Sequence, residues 1–257
     1  MADLILSSTQ GTVTTLTLNS PQTRNALSTD LMGRLRDELA AVGEDTSVHV
    51  VVLAAEGPVF SSGHDLKEVR GADHARQQEI FDVCTDLMLT IQQIPQPVIA
   101  RVHGLATAAG AQLAATCDLV VAAKSAAFAT PGVKIGLFCS TPGVAIARAL
   151  PTKQAMRMLL TGDPVSASRA LELGMVSDVV DDDQLIRATN ELAVKIAQAS
   201  SATVAIGKEA FYRQVSMSVE DAYGEMSKTM AANAVIDDAQ EGIDAFLTKR
   251  APEWKGR

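Results

Sequence analysis

Residues 100–143 read ARVHGLATAAGAQLAATCDLVVAAKSAAFATPGVKIGLFCSTPG. The run at 98–102 is apolar and β-branched, which predicts a buried strand. A turn of Gly and Ala residues follows at 104–110, then a short apolar helix at 111–116 and a second buried strand at 119–123. The order of strand, tight turn, helix and strand predicts a compact βαβ unit.

The small residues of the turn allow two interpretations. Side chains of Gly and Ala size let a ligand approach the backbone closely. The first N–H groups of the following helix have no partner within the helix, so they can bind a negative or polarised oxygen. The alternative is a close contact between helix and sheet that only requires small residues. The turn by itself leaves both interpretations open.

Length and composition predict a globular chain with a large core. The 257 residues correspond to one large domain or a domain with an appendage, and 47% of them are apolar. The net charge of −8 and the absence of a basic stripe argue against nucleic acid as a partner. Cys84, Cys117 and Cys139 are too widely spaced for a disulfide framework or a metal site, and they suit a reducing compartment.

The N-terminal segment and the apolar runs predict a soluble, cytosolic chain. The first ten residues, MADLILSSTQ, lack the basic and apolar regions of a secretory signal. The first 20 residues contain no Arg, which argues against a mitochondrial presequence. Arg101, Asp118 and Lys124 interrupt the apolar runs that approach membrane-spanning length, so no membrane association is expected.

The N-terminal part of the chain predicts alternating strands and helices. Its predicted elements are a hairpin at 4–8 and 13–18, a helix after Ser28 or Thr29, a buried strand at 48–55, a loop at 56–65, helices at 66–70, 75–93, 144–150 and 153–160, and a strand at 175–180. The later residues predict helices only, at 181–198, 203–214, 218–236 and 240–249. The sequence therefore predicts an α/β core over residues 1–199 and a helical region over residues 200–257.

Three stretches identify a family. They are RNAL at 24–27, FSSGHDL at 60–66, and the run from HG to CD at 103–118. With these stretches, nearly the whole chain resembles the crotonase (enoyl-CoA hydratase/isomerase) superfamily. The resemblance implies a spiral of ββα units that forms two sheets, with C-terminal helices that build a homotrimer or a dimer of trimers. It also implies an acyl-CoA thioester as ligand, with coenzyme A belonging to the substrate, no separate cofactor and no metal.

The resemblance also implies the residues of the site. The backbone N–H groups of His64 and Ala109 would hold the thioester oxygen as an oxyanion hole, and Gln112 takes a catalytic position. Arg24 and Ala26 would follow the pantetheine and phosphates, and Ser62, Asp65 and Leu66 would border the adenine end through backbone groups. The residues expected to contact the substrate are Arg24, Ala26, Ser62, Asp65, Leu66, Gly110, Gly132, Cys139 and, from a neighbouring subunit, Lys249.

The chain departs from the hydratases of this family at the acid–base positions. Their two glutamates fall on Gln112 and Gly132, which neither take nor give a proton near neutral pH. Each positioned acid–base group typically contributes roughly 10²–10⁴ in rate, so hydration is expected to be weak or absent. Restoring both glutamates is expected to raise it if the scaffold is otherwise competent. The resemblance also implies that the loop after Gly136 is longer than in the hydratases, which would bring Cys139, Ser140 and Thr141 near the acyl β-carbon.

Two functions remain open from the sequence. The first is an acyl-CoA enzyme that uses the oxyanion hole without the acid–base pair, for isomerisation, slow hydration or thioester cleavage. The second is a non-catalytic acyl-CoA-binding protein with a regulatory role. Gln112 either faces the pocket or packs beneath it. The His64 imidazole either acts as a general base or takes no part in the chemistry, so that only the backbone N–H of His64 is used. Cys139 is either a nucleophile or an inert buried thiol.

Overall fold

The computed structural model describes residues 3–257, and within that range the chain forms ten strands and eleven α-helices. The strands are β1 (Ile5–Gln10), β2 (Val13–Leu18), β3 (Val50–Ala55), β4 (Val59–Ser61), β5 (Val98–Val102), β6 (Leu105–Thr107), β7 (Leu119–Ala123), β8 (Ala127–Ala129), β9 (Val165–Ser166) and β10 (Asp178–Val180). The helices are α1 (Thr29–Glu44), α2 (Leu66–Val69), α3 (His74–Gln93), α4 (Ala109–Thr116), α5 (Ser140–Ala149), α6 (Thr152–Thr161), α7 (Ala167–Glu172), α8 (Leu185–Ala197), α9 (Ser201–Gln214), α10 (Val219–Ala234) and α11 (Asp237–Thr248). Short 3-10 helices lie at Pro21–Thr23, Pro131–Ile135 and Asp182–Gln184.

The strands form two sheets. The larger has the order β1-β2-β3-β5-β7-β10, in which β1 is antiparallel to β2 and the remaining neighbours are parallel. The smaller has the order β4-β6-β8-β9, with only β9 antiparallel to its neighbour. The predicted α/β fold with crotonase-like ββα units is confirmed, because a long strand of the larger sheet precedes a short strand of the smaller one at β3-β4, β5-β6 and β7-β8.

Burial explains why the long strands and the first helix form where the sequence predicts them. Four consecutive residues of β3, from Val50 to Leu53, are fully buried, as expected for a parallel strand covered on both faces. In α1 the Ser28 hydroxyl accepts a hydrogen bond from the Leu31 N–H at 3.2 Å, which caps the helix. Leu31, Leu35 and Leu39 are buried on one face of that helix.

The smaller sheet corrects two predictions. The loop predicted at 56–65 contains β4, and the turn predicted at 104–110 contains β6. In addition, α4 begins at Ala109 rather than Ala111. Each of these strands has only three residues and is held by pairing with a distant segment, β4 with β6 and β6 with β8. Such pairing leaves no period in the local sequence, so hydrophobic periodicity does not reveal it.

Three further boundaries differ from the predictions. α5 starts at Ser140 rather than at residue 144, since its Pro142 lies in the first turn, where a missing N–H removes no helical hydrogen bond. The predicted strand at 175–180 is restricted to β10. The helix predicted over 181–198 is a 3-10 turn, Asp182–Gln184, followed by α8.

The C-terminal helices are connected to the core by a buried ion pair. The Lys208 ammonium of α9 lies 2.8 Å from the Asp118 carboxylate, and both side chains are largely buried. Tyr212 donates a hydrogen bond to the same carboxylate at 2.8 Å. The division into residues 1–199 and 200–257 stays a prediction, and residues 1 and 2 lie outside the described range. No helix within residues 3–257 is long and apolar enough to cross a membrane.

Candidate functional site

A cavity of about 520 Å³ lies between the smaller sheet, α2, α3 and the start of α5. Its volume is in the range of small-molecule sites. The lining residues are Ser62, His64, Leu66, Val69, Phe81, Ala108, Pro131, Gly132, Lys134, Ile135, Leu137, Phe138, Cys139, Ser140, Thr141 and Pro142. Apart from Leu66, Val69 and Phe81, they fall into two parts that differ in packing. We call residues 61–64 and 107–110 the amide region, and residues 131–142 the acyl-side segment.

Buried hydrogen bonds hold the first half of the amide region in place. Asn25, which is fully buried, donates its side-chain N–H groups to the carbonyls of Glu56 and Val59 at 2.7 and 3.1 Å. The Ser61 hydroxyl donates to the Asn25 carbonyl at 2.8 Å. The Ser62 N–H donates to the Arg24 carbonyl at 3.0 Å. The RNAL stretch at 24–27 therefore holds the loop that carries His64 in place.

The second half is a strained turn at the start of α4. Ala108 has φ 49° and ψ −118°, a left-handed conformation that is unfavourable for a residue with a Cβ atom. Such strain costs roughly 1–3 kcal/mol and is found at functional sites. Its N–H donates to the Ala129 carbonyl at 2.8 Å, and its carbonyl accepts from the Gln112 N–H at 3.0 Å. These two bonds hold the backbone in that conformation.

The two halves are in close contact. Gly63 has φ +87°, and a Cβ atom built on it would lie 2.9 Å from the Ala108 Cβ and 3.2 Å from the Ala109 nitrogen. A Cβ atom on Gly110 would similarly lie 2.5 Å from the Ser61 carbonyl oxygen. Only glycine permits these approaches, so the small residues of the turn both pack against the sheet and bring the backbone of residues 63–64 beside the start of α4.

The two backbone donors that the resemblance implies have no acceptor. Within residues 3–257, the structure gives no hydrogen-bond partner to the N–H of His64 or of Ala109. Ala109 is fully buried, and most buried backbone N–H groups in proteins are paired. His64 and Ala108 line the cavity, and Ala109 follows Ala108 directly, so the N–H groups of His64 and Ala109 lie at or beside its wall. Such a pair is able to bind a polarised or negatively charged oxygen.

The His64 imidazole packs among apolar groups. Its ring meets the Phe81 ring edge to face, with 5.2 Å between centroids, and its Nε2 atom is buried with no partner among the described residues. Burial lowers the pKa of His64 from 6.5 to about 4, because the charged form loses its hydration. The imidazole is therefore neutral at pH 7.

The cavity wall contains no carboxylate. None of the sixteen lining residues, all within the described range, is Asp or Glu. Gln112 is not a lining residue; it is buried, with its Oε1 atom 3.9 Å from the Cys84 Sγ on α3. This placement corresponds to a side chain packed beneath the cavity rather than facing it. Its catalytic role stays a prediction.

Gly132 lies under the longer loop. A Cβ atom on Gly132 would overlap the Leu137 carbonyl oxygen and lie 2.7 Å from the Cys139 Sγ. The acyl-side segment therefore occupies the space that a side chain at 132 would need, and the effect of restoring both glutamates stays a prediction. Cys139 is 7% exposed, and burial raises the pKa of its thiol, which favours the unreactive protonated form.

The remaining predicted contact residues are divided between the cavity and the surface. Ser62 and Leu66 line the cavity and are exposed to solvent. The Asp65 carboxylate caps α2 by accepting from the Lys67 N–H at 2.9 Å. Arg24 is exposed, with φ 57°, and Ala26 is half-buried in the adjacent loop. Lys249 is exposed at the end of α11 and does not line the cavity of its own chain.

Sequence reasoning missed several residues of the site. Phe81 lies on a correctly predicted helix, but nothing in the helical period distinguishes it from the core residues around it. Ala108 had a weak signal in the small-residue turn, which did not show its left-handed conformation. Among residues 3–257 there is no cluster of three or more His, Cys, Asp or Glu side chains able to hold a metal ion.

Comparison with known proteins identifies the class. The family model described as enoyl-CoA hydratase/isomerase matches residues 8–257, and the chain belongs to this family. Within it, the chain is similar to enoyl-CoA hydratase domain-containing protein 3: the mitochondrial protein of Xenopus laevis is 50% identical over 240 residues, covering 92% of this chain and 81% of that protein. The runs GLATAAG and GLFCSTPG predict this subgroup, and the comparison confirms the prediction.

Two solved structures have the same fold. The human enoyl-CoA hydratase domain-containing protein 3 superposes with a TM-score of 0.96 at 44% identity, covering 98% of this chain and 100% of that chain. An enoyl-CoA hydratase of Mycobacterium smegmatis also gives a TM-score of 0.96, at 48% identity, covering 98% and 99%.

The predicted cytosolic location is wrong. The relatives of this subgroup from frog, rat and human are mitochondrial proteins. The error lies in treating the composition of a short N-terminal stretch as decisive for the compartment.

Proposed function

We propose that the chain binds an acyl-CoA thioester and stabilises its enolate with the N–H groups of His64 and Ala109. The observation that supports this most strongly is the pair of unpaired donors in the wall of a cavity, in a family that acts on such thioesters. Two donors aimed at a developing oxyanion typically lower a barrier by several kcal/mol, since removing one costs about 2.7–4 kcal/mol. No separate cofactor is required, because coenzyme A is part of the substrate.

The missing acid–base pair limits the chemistry. With Gln112 packed against Cys84 and no side chain at Gly132, nothing in the cavity wall is placed to activate a water and return a proton. We therefore expect weak or absent hydration. Isomerisation or thioester cleavage would need a proton acceptor as well. Of the lining residues we expect the neutral His64 imidazole to serve, because Lys134 is paired with Asp163 and the Cys139 thiol stays protonated.

The test combines binding and turnover. Crotonyl-CoA should raise the melting temperature of the protein while its enoyl absorbance decays slowly or not at all. Rapid loss of that absorbance would contradict the assignment of Gln112 and Gly132. A broad panel of acyl-CoA thioesters that neither shifts the melting temperature nor is converted would refute thioester binding altogether.

The alternative is a non-catalytic acyl-CoA-binding protein. It is favoured by the same absence of a carboxylate from the cavity wall. The two functions separate in the panel: thioesters that stabilise the protein but remain chemically unchanged support the binding role, and any catalytic product supports the enzyme.

Self-association through the C-terminal helices is part of the proposal. Large apolar side chains are exposed on α9, α10 and α11; Phe211 is 57%, Tyr223 78% and Phe246 83% exposed. Exposed apolar groups in this number are typical of an interface. We expect a homotrimer or a dimer of trimers, with Lys249 approaching the nucleotide of a neighbouring subunit. Light scattering after size-exclusion chromatography measures the mass, and a monomer at micromolar concentration would contradict the expectation.

A further inference from the structure

The acyl-side segment and α2 surround the cavity with apolar groups. Ile135, Leu137 and Phe138 line it from the segment, while Leu66 and Val69 line it from α2. Several of these side chains are about half exposed, with Ile135 at 60% and Leu66 at 53%. When an apolar part of a ligand covers apolar surface at the mouth of a cavity, both are removed from water, and this favours binding.

The charges at the cavity are few and already balanced. Lys134 is the only Lys or Arg among the lining residues, and its Nζ atom lies 3.1 Å from the Asp163 carboxylate. That pair holds the pKa of Asp163 below its usual range, so the carboxylate stays charged beside the lysine. His64 is neutral at pH 7 because burial lowers its pKa to about 4. An additional carboxylate on a ligand would have to share Lys134 with Asp163, since the wall contains no second Lys or Arg.

We propose that the site selects thioesters with uncharged aliphatic acyl chains and rejects chains that end in a carboxylate. This selection rests on the proposed thioester binding, and it names the chemistry of the part beyond the carbonyl. An apolar chain displaces water from Ile135, Leu137 and Phe138 and gains affinity. A terminal carboxylate loses hydration in the same place, and the one lysine of the wall already pairs with Asp163.

Matched saturated thioesters test this selection by binding alone, because they have no double bond to hydrate. Hexanoyl-CoA and adipoyl-CoA have six-carbon acyl chains that differ in a terminal carboxylate, and butyryl-CoA shortens the first by two methylenes. Titration calorimetry should give an affinity for hexanoyl-CoA at least about tenfold above that for adipoyl-CoA. Each methylene between butyryl-CoA and hexanoyl-CoA should add up to about fourfold.

A pair of variants tests the role of the balanced lysine. Asp163→Asn frees Lys134, so it should strengthen adipoyl-CoA binding several-fold while leaving hexanoyl-CoA unchanged. Asp181→Asn is the matched control, because it frees Lys124 from an equally exposed pair whose residues do not line the cavity. Equal gains in both variants would overturn the assignment to Lys134, since they would reflect net charge alone.

The outcomes separate this selection from the proposed function. Tight hexanoyl-CoA and weak adipoyl-CoA binding support both. Equal binding of the two thioesters overturns the selection and leaves thioester binding intact. Failure of all three thioesters to bind overturns the proposed function itself.

Discussion

The amide region and the acyl-side segment line the same cavity but differ in how firmly they are held. Ser61 and Ala109 are fully buried, and the loop of residues 61–64 packs against the start of α4 with no room for a Cβ atom at Gly63. In the acyl-side segment, Leu137 and Phe138 are 45% and 49% exposed. The tightly packed part holds the donors that the proposed function shares with the family. The exposed part contains the loop that we propose faces the acyl carbons.

The largest effect is expected where the amide region is tightest. Gly63→Ala places a Cβ atom 2.9 Å from the Ala108 Cβ in a backbone with φ +87°. We expect a loss of about 2–4 kcal/mol in the free energy of unfolding, from conformational strain and overpacking together, with loss of thioester binding.

Gly71→Ala is the matched control for that substitution. Gly71 has φ +75°, and no atom of the described chain lies within 4 Å of its added Cβ. Gly71→Ala should lower the free energy of unfolding by only about 1 kcal/mol and keep thioester binding. Equal losses in the two variants, measured by urea denaturation, would show that the contact between the two loops does not hold the donors.

The neutral imidazole predicts a pH dependence. The pKa of His64 is about 4 in the folded chain, whereas the ordinary value of 6.5 applies to the unfolded chain. Between pH 4 and 6.5 the unfolded chain therefore binds more protons than the folded chain. Stability from this group is complete above pH 6.5 and is lost as the pH falls toward 4, by up to about 3 kcal/mol. His64→Gln keeps the backbone N–H and should remove this part of the pH dependence.

Unfolding free energies measured between pH 7.5 and about 4.5 check the prediction. His74→Gln, at an exposed histidine, is the control and should retain the wild-type slope. A His64→Gln slope as steep as wild type would mean that the imidazole is not desolvated in the folded chain.

In the acyl-side segment, packing should resist an added side chain at Gly132. Gly132→Ala brings a Cβ atom against the Leu137 carbonyl and the Cys139 thiol, and we expect a loss of about 1–3 kcal/mol. Gly33 lies inside α1, and no atom of the described chain lies within 4 Å of a Cβ added there. Gly33→Ala should therefore raise the free energy of unfolding by about 0.5–1 kcal/mol.

Hydration provides a second readout at the same position. Gly132→Glu together with Gln112→Glu should not restore rapid hydration of crotonyl-CoA, because the segment fills the space of the new side chain. A large rise in hydration would show that residues 137–139 move aside readily, and that the residue types rather than the loop limit the activity.

The smallest effect has the opposite sign. Ala108→Gly relieves the left-handed strain at the start of α4, and we expect a gain of about 1 kcal/mol with thioester binding retained. Ala115→Gly in the same helix should lose about 0.5–1 kcal/mol. Differential scanning calorimetry compares the two, and a loss in both would mean that Ala108 is not strained.

The same difference between regions explains how much the sequence revealed. The long strands and helices were predictable because burial produces a period in the local sequence, as in β3 and α1. The small-residue turn pointed to free N–H groups, and the resemblance assigned them to His64 and Ala109. The strands of the smaller sheet are three residues or fewer, and pairing with distant segments decides them.

Features that depend on packing between segments could not be predicted. The contact of Cys139 and Leu137 with position 132 depends on how the longer loop folds back, which its residues do not indicate. The position of Gln112 beneath the cavity depends on the approach of α3, and the neutral state of His64 depends on Phe81. Each of these is a three-dimensional contact that the local sequence pattern does not encode.

Infrared spectroscopy of [1-¹³C]crotonyl-CoA bound to the protein tests the central claim most directly. Hydrogen bonds from two main-chain amides should move the labelled carbonyl stretch to lower wavenumber than in solution, while the enoyl double bond persists. A carbonyl band at its solution position, or prompt conversion of the double bond to the hydrated product, would contradict the account.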